Sequence, residues 1–166
     1  EQDDASQCTS LTDVLNGGGE LTAALARRVR ERLPWVRLHN VYGPTETTVD
    51  STGWTLEPDQ PVPEAVVPIG KALSNTRLYV LDAHDQPVPF GVSGHLHIGG
   101  VGVARGYLGL PDMQAERFID SPFVAGDRLY RTGDLVRYRA DGNLEFLGRN
   151  DFQIKLRGLR LEPGEI

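Results

Sequence analysis

The sequence predicts an α/β layer that runs into a mostly antiparallel β module, and three observations carry that expectation. Leu21, Leu25, Val29 and Leu33 recur at helix-like spacing between two strand-like runs, which is the strand–helix–strand unit of a parallel layer. After Pro58 the apolar period drops to two, in residues 77–81, 95–98, 129–131, 136–139 and 144–147. Gly and Pro number 19 and 11 among 166 residues, so turns are frequent.

Taken in order, residues 11–16 read as a short strand that runs into Gly17-Gly18-Gly19, where the backbone turns without side chains. A helix then begins at Thr22, whose hydroxyl suits the N-cap, with Arg27, Arg28, Arg30, Glu31 and Arg32 on its polar face. Pro34 ends it by disfavouring the helical region at Leu33. Residues 37–41 form the second strand. One crossover cannot cover both faces of a parallel sheet, so this unit is expected to need partners beyond the chain. In the later half, Asp85-Gln86-Pro87, Pro89-Phe90-Gly91 and Asp141-Gly142-Asn143 supply turns between short strands. A short helix over 111–118 starts at Pro111, where the missing N–H costs nothing. The strands on both sides of this helix suit a small, mostly antiparallel barrel or distorted sheet. Residues 152–156 and 159–161, split by Gly158, read as a further hairpin. The expected division is 1–57 for the α/β part, 58–150 for the β-barrel-like part, and 151–166 for the beginning of a further subdomain.

Composition removes several function classes. The formal charge is −6, from 23 acidic against 17 basic residues, which argues against nucleic acid held by bulk charge. No apolar run approaches the ~20 residues of a membrane span, and the acidic opening is unlike a signal peptide, so the expected location is the cytoplasm. Cys8 is the sole cysteine, which rules out an internal disulfide or a cysteine zinc cluster.

Three segments have residue types suited to chemistry. In Asn40-Val41-Tyr42-Gly43-Pro44-Thr45-Glu46, a Gly-Pro turn follows a strand at the edge where open α/β sheets bind ligands. It presents the Thr45 hydroxyl beside the Glu46 carboxylate, a pair suited to phosphate oxygens and Mg2+; the alternative is an ordinary loop with a capping Thr and a solvated Glu. In Tyr130-Arg131-Thr132-Gly133-Asp134-Leu135, one carboxylate can accept from two adjacent hydroxyls, as in a ribose diol, or simply close an Asx-turn. Arg149, Lys155 and Arg157 share strand parity and could meet an anion, or form a solvated hairpin face. His95 and His97 have the spacing of a metal pair, but no third ligand lies near in sequence, so a polar strand surface is expected.

Taken together and in this order, Asn40 to Glu46 (as N-x-Y-G-P-T-E), Gly94 to Leu108 (as G-E-L-x-I-x-G-x-G-x-A-R-G-Y-L), Tyr130 to Leu135 (as Y-R-T-G-D-L) and Gly148 to Ile166 (as G-R-x-D-x-Q-V-K-I-R-G-x-R-I-E-x-G-E-I) resemble adenylation domains of nonribosomal peptide synthetases. These belong to the adenylate-forming superfamily, with acyl-CoA synthetases and luciferases. His95 departs from the usual Glu, and Pro163 from an apolar residue. The family's glycine-rich phosphate loop, an upstream substrate-binding Asp and a late catalytic Lys have no counterpart, so the resemblance implies an internal fragment incomplete for catalysis; incomplete burial of the α/β side predicts poor stability alone.

The resemblance also implies roles. Asn40 would contact the adenine edge and Tyr42 its ring; Thr45 would touch the α-phosphate and Glu46 would hold Mg2+. Asp134 would accept the ribose hydroxyls, Arg149 would lie near ribose and phosphate, Asp151 would be the hinge, and Lys155 would approach the nucleotide. Arg105 and Gly106 would be structural. Asn16, Gly18, Val41, Val49 and Asp50 would line the substrate side-chain pocket, where Asn16 and Asp50 suit a polar substrate of Gln or Glu type. The implied reaction makes aminoacyl-AMP from ATP and an amino acid, then passes the acyl group to phosphopantetheine on a peptidyl carrier domain, with a condensation domain in the same assembly line. Two alternatives stand beside it: an acyl- or aryl-CoA synthetase-like ligase, and a non-catalytic scaffold module.

Overall fold

The computed structural model describes residues 7–150 together with the backbone of two further strands at 154–156 and 159–161. The first layer starts with β1 (Asp13–Asn16), crosses over through α1 (Ala23–Arg32), and returns as β2 (Arg37–Tyr42), which pairs with β1 in parallel. Thr22 caps the helix as expected, accepting from the Leu25 amide at 3.1 Å, and Leu33 closes it by donating to the Val29 carbonyl. The expected apolar face holds except at one position: Leu21 and Leu33 are buried and Val29 packs against the core. Ala26 packs with Leu21, Leu38, Leu56 and Val67, whereas Leu25 is exposed. Every-fourth spacing drifts about 40° per step against the 3.6-residue turn, so Leu25 leaves the face that Ala26 occupies.

The layer is also not purely parallel. β3 (Thr52–Leu56) runs antiparallel to β2, and β4 (Lys71–Ala72) closes a sheet ordered β1-β2-β3-β4. Neither added strand has a strong apolar period; β3 forms on the free edge of β2, and β4 on the free edge of β3.

The second sheet contains β5 (Thr76–Leu81), β6 (Gly94–Gly100), β7 (Phe118–Asp120), β8 (Arg128–Tyr138) and β9 (Leu144–Arg149), with α2 (Pro111–Arg117) leading into β7. All its pairings are antiparallel, in the order β5-β6-β8-β7 with β9 also on β8. Among the described residues no ladder joins β5 to β7, so the sheet is open. The two short strands expected at 129–131 and 136–139 are one strand, β8. The chain does not turn at Thr132-Gly133-Asp134; it bulges. Between the pairs His95–Leu135 and His97–Arg131, the single residue Leu96 faces those three residues of β8. A bulge re-aims side chains without ending the strand, and here it carries Asp134.

The two sheets share a core. Tyr42, from the end of β2, packs with Ile69, Val80, Leu96, Ile98, Val136 and Leu144. Leu144 donates to the Gly70 carbonyl at 2.7 Å and accepts from the Ile69 amide at 2.8 Å, which ties the sheets at their junction. Last, β10 (Ile154–Leu156) and β11 (Leu159–Leu161) form the expected antiparallel hairpin. No helix among the described residues is long and apolar enough to cross a membrane.

Candidate functional site

Side chains from two strands converge on one carboxylate carried by a third. The β8–β9 register sets Arg149 directly opposite Asp134, and Tyr42 arrives from the other sheet. Arg149 Nη1 donates to Asp134 Oδ1 at 2.5 Å, and the Tyr42 hydroxyl donates to Asp134 Oδ2. Arg149 Nη2 also reaches the Thr132 carbonyl at 3.1 Å, while the Asp134 amide donates to Thr132 Oγ1 at 3.0 Å. The ion pair is nearly dry, with side-chain exposures of 13% for Arg149 and 5% for Asp134. Burial, reinforced by the Asp134 charge, pushes the Tyr42 phenol well above its ordinary ionisation range, so it remains a donor at neutral pH.

Tyr42 and Arg149 also line a cavity of about 550 Å3, whose wall includes Gly18, Asn40, Val41 and Phe146. That size lies in the usual range for small-molecule sites. Asn40 is buried and held at both ends of its amide: Oδ1 accepts from Asn16 Nδ2 at 3.0 Å, and Nδ2 donates to the Pro68 carbonyl at 2.8 Å. Asn16 Nδ2 is shared with the Gly19 carbonyl, also at 3.0 Å.

The turn after β2 is compact. Residues Thr45–Thr47 form a single 3-10 turn, closed by Thr47 Oγ1 to Ser51 Oγ at 2.7 Å. Ser51 N–H returns to the Tyr42 carbonyl at 2.8 Å. Only glycine fits at 43, because a Cβ there would stand 2.2 Å from the Val49 carbonyl oxygen. Glu46 is buried inside this turn rather than solvated, and its Oε1 accepts from the Tyr107 hydroxyl at 2.5 Å.

The residues singled out by the sequence therefore fall into separate groups. Asn40, Tyr42, Arg149, Gly18 and Val41 line the cavity, with Asp134 bonded to two of them and Asn16 to a third. Thr45, Glu46, Val49 and Asp50 are not among its lining residues, and Val49 is 68% exposed. Lys155 falls on β10 opposite Arg160 in register, but its side chain, like Asp151 and Arg157, lies outside the described residues. Tyr107 is the site residue that the sequence did not mark for chemistry; it stands 61 positions from Glu46, too far for any local pattern to pair them.

His97 corrects the surface expectation for the histidine pair. It is buried at 3% exposure; its Nδ1 lies 3.2 Å from the His95 carbonyl, so the proton sits on Nδ1 and Nε2 is left without a hydrogen bond. No group of three or more His, Cys, Asp or Glu capable of holding a metal occurs among the described residues.

Comparison with known proteins places the chain in a family and a fold. Residues 1–108 match the family described as AMP-binding enzyme. The chain is 50% identical over 161 residues to a plipastatin synthase of Bacillus subtilis, and 54% identical over 158 residues to phosphinothricin tripeptide synthetase PhsB of Streptomyces viridochromogenes. Those alignments cover 97% and 95% of this chain but 6% and 13% of the relatives, so the chain spans a small part of their length. Among solved structures it resembles holo-PA1221, an NRPS protein containing adenylation and PCP domains bound to a vinylsulfonamide inhibitor. The TM-score is 0.87 at 36% identity, covering 96% of this chain and 28% of that one. IdnL1 superposes with a TM-score of 0.89 at 31% identity, covering 98% and 34%. The two joined sheets are thus part of an adenylate-forming fold, and with its first 108 residues matched directly, the chain belongs to the AMP-binding enzyme family.

Proposed function

We propose that this chain is part of an amino-acid-activating adenylation domain in nonribosomal peptide synthesis. The reaction joins an amino-acid carboxylate to the AMP portion of ATP with release of pyrophosphate, and then hands the acyl group to a phosphopantetheine thiol on a carrier domain with release of AMP. The observation that carries this reading is the buried Asp134 carboxylate, oriented on both oxygens by Tyr42 and Arg149 beside a cavity that those two residues line.

A carboxylate offers about four lone-pair sites, so an acid held this way can still accept from a ribose diol while keeping its orientation. Asp134 takes the ribose hydroxyls, Tyr42 and Asn40 border the adenine, and Arg149 serves ribose and phosphate. Thr45 touches the α-phosphate. Glu46 is the residue that would hold Mg2+, which when bound neutralises charge on the phosphoryl oxygens. Positioning and electrostatic stabilisation account for catalysis, and no protein nucleophile is needed. Lys155 approaches the nucleotide from the hairpin, with Asp151 as its hinge.

Gly18, Val41, Val49, Asp50 and Asn16 form this chain's share of the amino-acid pocket. Asn16 already uses its amide N–H group on Asn40 and Gly19, so Asp50 is the stronger candidate for recognising a polar side chain. The matching partners are a peptidyl carrier domain and a condensation domain of one cytoplasmic assembly line. Residues 1–57, 58–150 and 151–166 are its three segments, the second barrel-like once enclosed by the rest of the domain.

ATP–pyrophosphate exchange by the full-length protein, screened over amino acids and over carboxylic acids, tests the reading. Exchange dependent on one amino acid is expected. Exchange with carboxylic acids alone would point to a CoA-ligase-like enzyme. An Asp134→Ala variant whose ATP affinity stayed within about twofold of wild type would remove the ribose assignment, because a charge-assisted bond contributes more than that.

A further inference from the structure

The long glycine-rich segment after β6 grips the turn that carries Glu46 at three points. The Ala104 amide donates to the Glu46 carbonyl at 2.8 Å, Thr48 Oγ1 donates to the Gly102 carbonyl at 2.7 Å, and the Tyr107 hydroxyl donates to Glu46 Oε1 at 2.5 Å. The approach is close enough that a Cβ at Gly102 would stand 2.9 Å from the Thr47 carbonyl oxygen. Tyr107 is itself held: its ring meets Phe118 edge-on at 5.3 Å, Phe118 packs on Tyr130 at 5.1 Å, and the two tyrosine hydroxyls lie 3.4 Å apart.

We propose that Tyr107 is a positioning residue: its hydroxyl fixes the rotation of the buried Glu46 carboxylate so that this acid meets a nucleotide-bound divalent cation without reorganising. The inference rests on the reading of Glu46 as the metal carboxylate and adds the residue that orients it. The physical reason is general. A ligand held by an outer partner loses no rotational freedom on binding the metal, and removing such a partner weakens the metal while leaving the ligand in place. The shape of the turn does not require the hydroxyl, since the two backbone-carbonyl contacts from Ala104 and Thr48 remain without it.

The test uses the full-length protein with a non-hydrolysable ATP analogue and Mn2+ as the probe, free Mn2+ being followed by electron paramagnetic resonance. Tyr107→Phe keeps the ring against Phe118 and is expected to weaken Mn2+ binding by about three- to tenfold, the worth of one net hydrogen bond. The half-saturating Mg2+ concentration for pyrophosphate exchange should rise by a similar factor, while analogue binding in EDTA stays within about twofold. Glu46→Gln serves as the reference variant. If both variants weaken Mn2+ and the double variant is no weaker than Glu46→Gln alone, the two residues act as one unit and the proposal stands. If Glu46→Gln weakens Mn2+ but Tyr107→Phe does not, the positioning role is overturned and the Glu46 reading survives. If Glu46→Gln leaves Mn2+ binding unchanged, the metal reading of Glu46 fails and takes this inference with it.

Discussion

Tyr42 and Asp134 stand 92 positions apart in sequence and share one buried hydrogen bond, the phenol donating to Oδ2 of the acid. The bond joins the end of β2 in one sheet to the bulge of β8 in the other. It turns a local irregularity into a fixed, buried carboxylate behind two residues, Tyr42 and Arg149, that line a cavity.

Tyr42→Phe keeps the ring in the core and removes the donor. Leaving a buried acceptor short of its partner should cost about 1–3 kcal/mol of stability, read as a lower denaturation midpoint with an unchanged slope. A loss below about 0.5 kcal/mol would mean that Asp134 recovers the donor elsewhere.

Arg149→Met removes the cation from a pair that is almost dry on both sides. Breaking a buried pair leaves an uncompensated charge, and about 3–5 kcal/mol is the expected cost. Arg149→Lys should lose less, because the ammonium can still meet Asp134 Oδ1 but cannot also reach the Thr132 carbonyl in the forked geometry. Equal losses for the two variants, in the same denaturation experiment, would contradict this account.

Gly43→Ala places a methyl against the backbone of Val49 and Asp50 rather than against a side chain that could step aside. Overpacking of this kind costs at least about 1–3 kcal/mol, and the turn carrying Thr45 and Glu46 should open with it. Increased amide hydrogen exchange confined to residues 43–51 is the expected signature.

Acid sensitivity should have a component from His97. Burial lowers its folded-state pKa below the ordinary 6.5; the Arg131 charge acts in the same direction, while the His95 carbonyl and the Asp85 carboxylate, 3.8 Å from Nε2, oppose it. The unfolded chain therefore binds this proton more readily. Stability should fall as pH drops below about 6.5 and stop falling once the folded histidine also protonates. His97→Phe should flatten that part of the profile, measured as melting temperature between about pH 7 and 5.

Much of this was readable in one dimension because it depends on neighbours in sequence. The Thr22 cap, the stop at Pro34 and the parallel pairing of β1 with β2 follow from local propensity and from the crossover. So does the β8–β9 hairpin turn, where Asn143 N–H donates to Asp141 Oδ1 at 3.0 Å. The order of motifs was likewise enough to identify Asn40, Tyr42, Asp134 and Arg149 as residues to watch.

Other features were out of reach for stated reasons. β3 has little apolar period and forms on an edge supplied by β2. Leu25 and Ala26 differ in burial by the direction of one helix face, which only the sheet beneath decides. His97 looks like half of an exposed pair until its side of β6 is seen to be covered. What the chain determined by itself was its local conformations and the chemical types available at each turn and strand end, since propensity and capping act within a few residues. Which of those groups touch was decided by the docking of two sheets, because the Tyr42–Asp134–Arg149 network and the Tyr107–Glu46 bond exist only once water is excluded between segments remote in sequence.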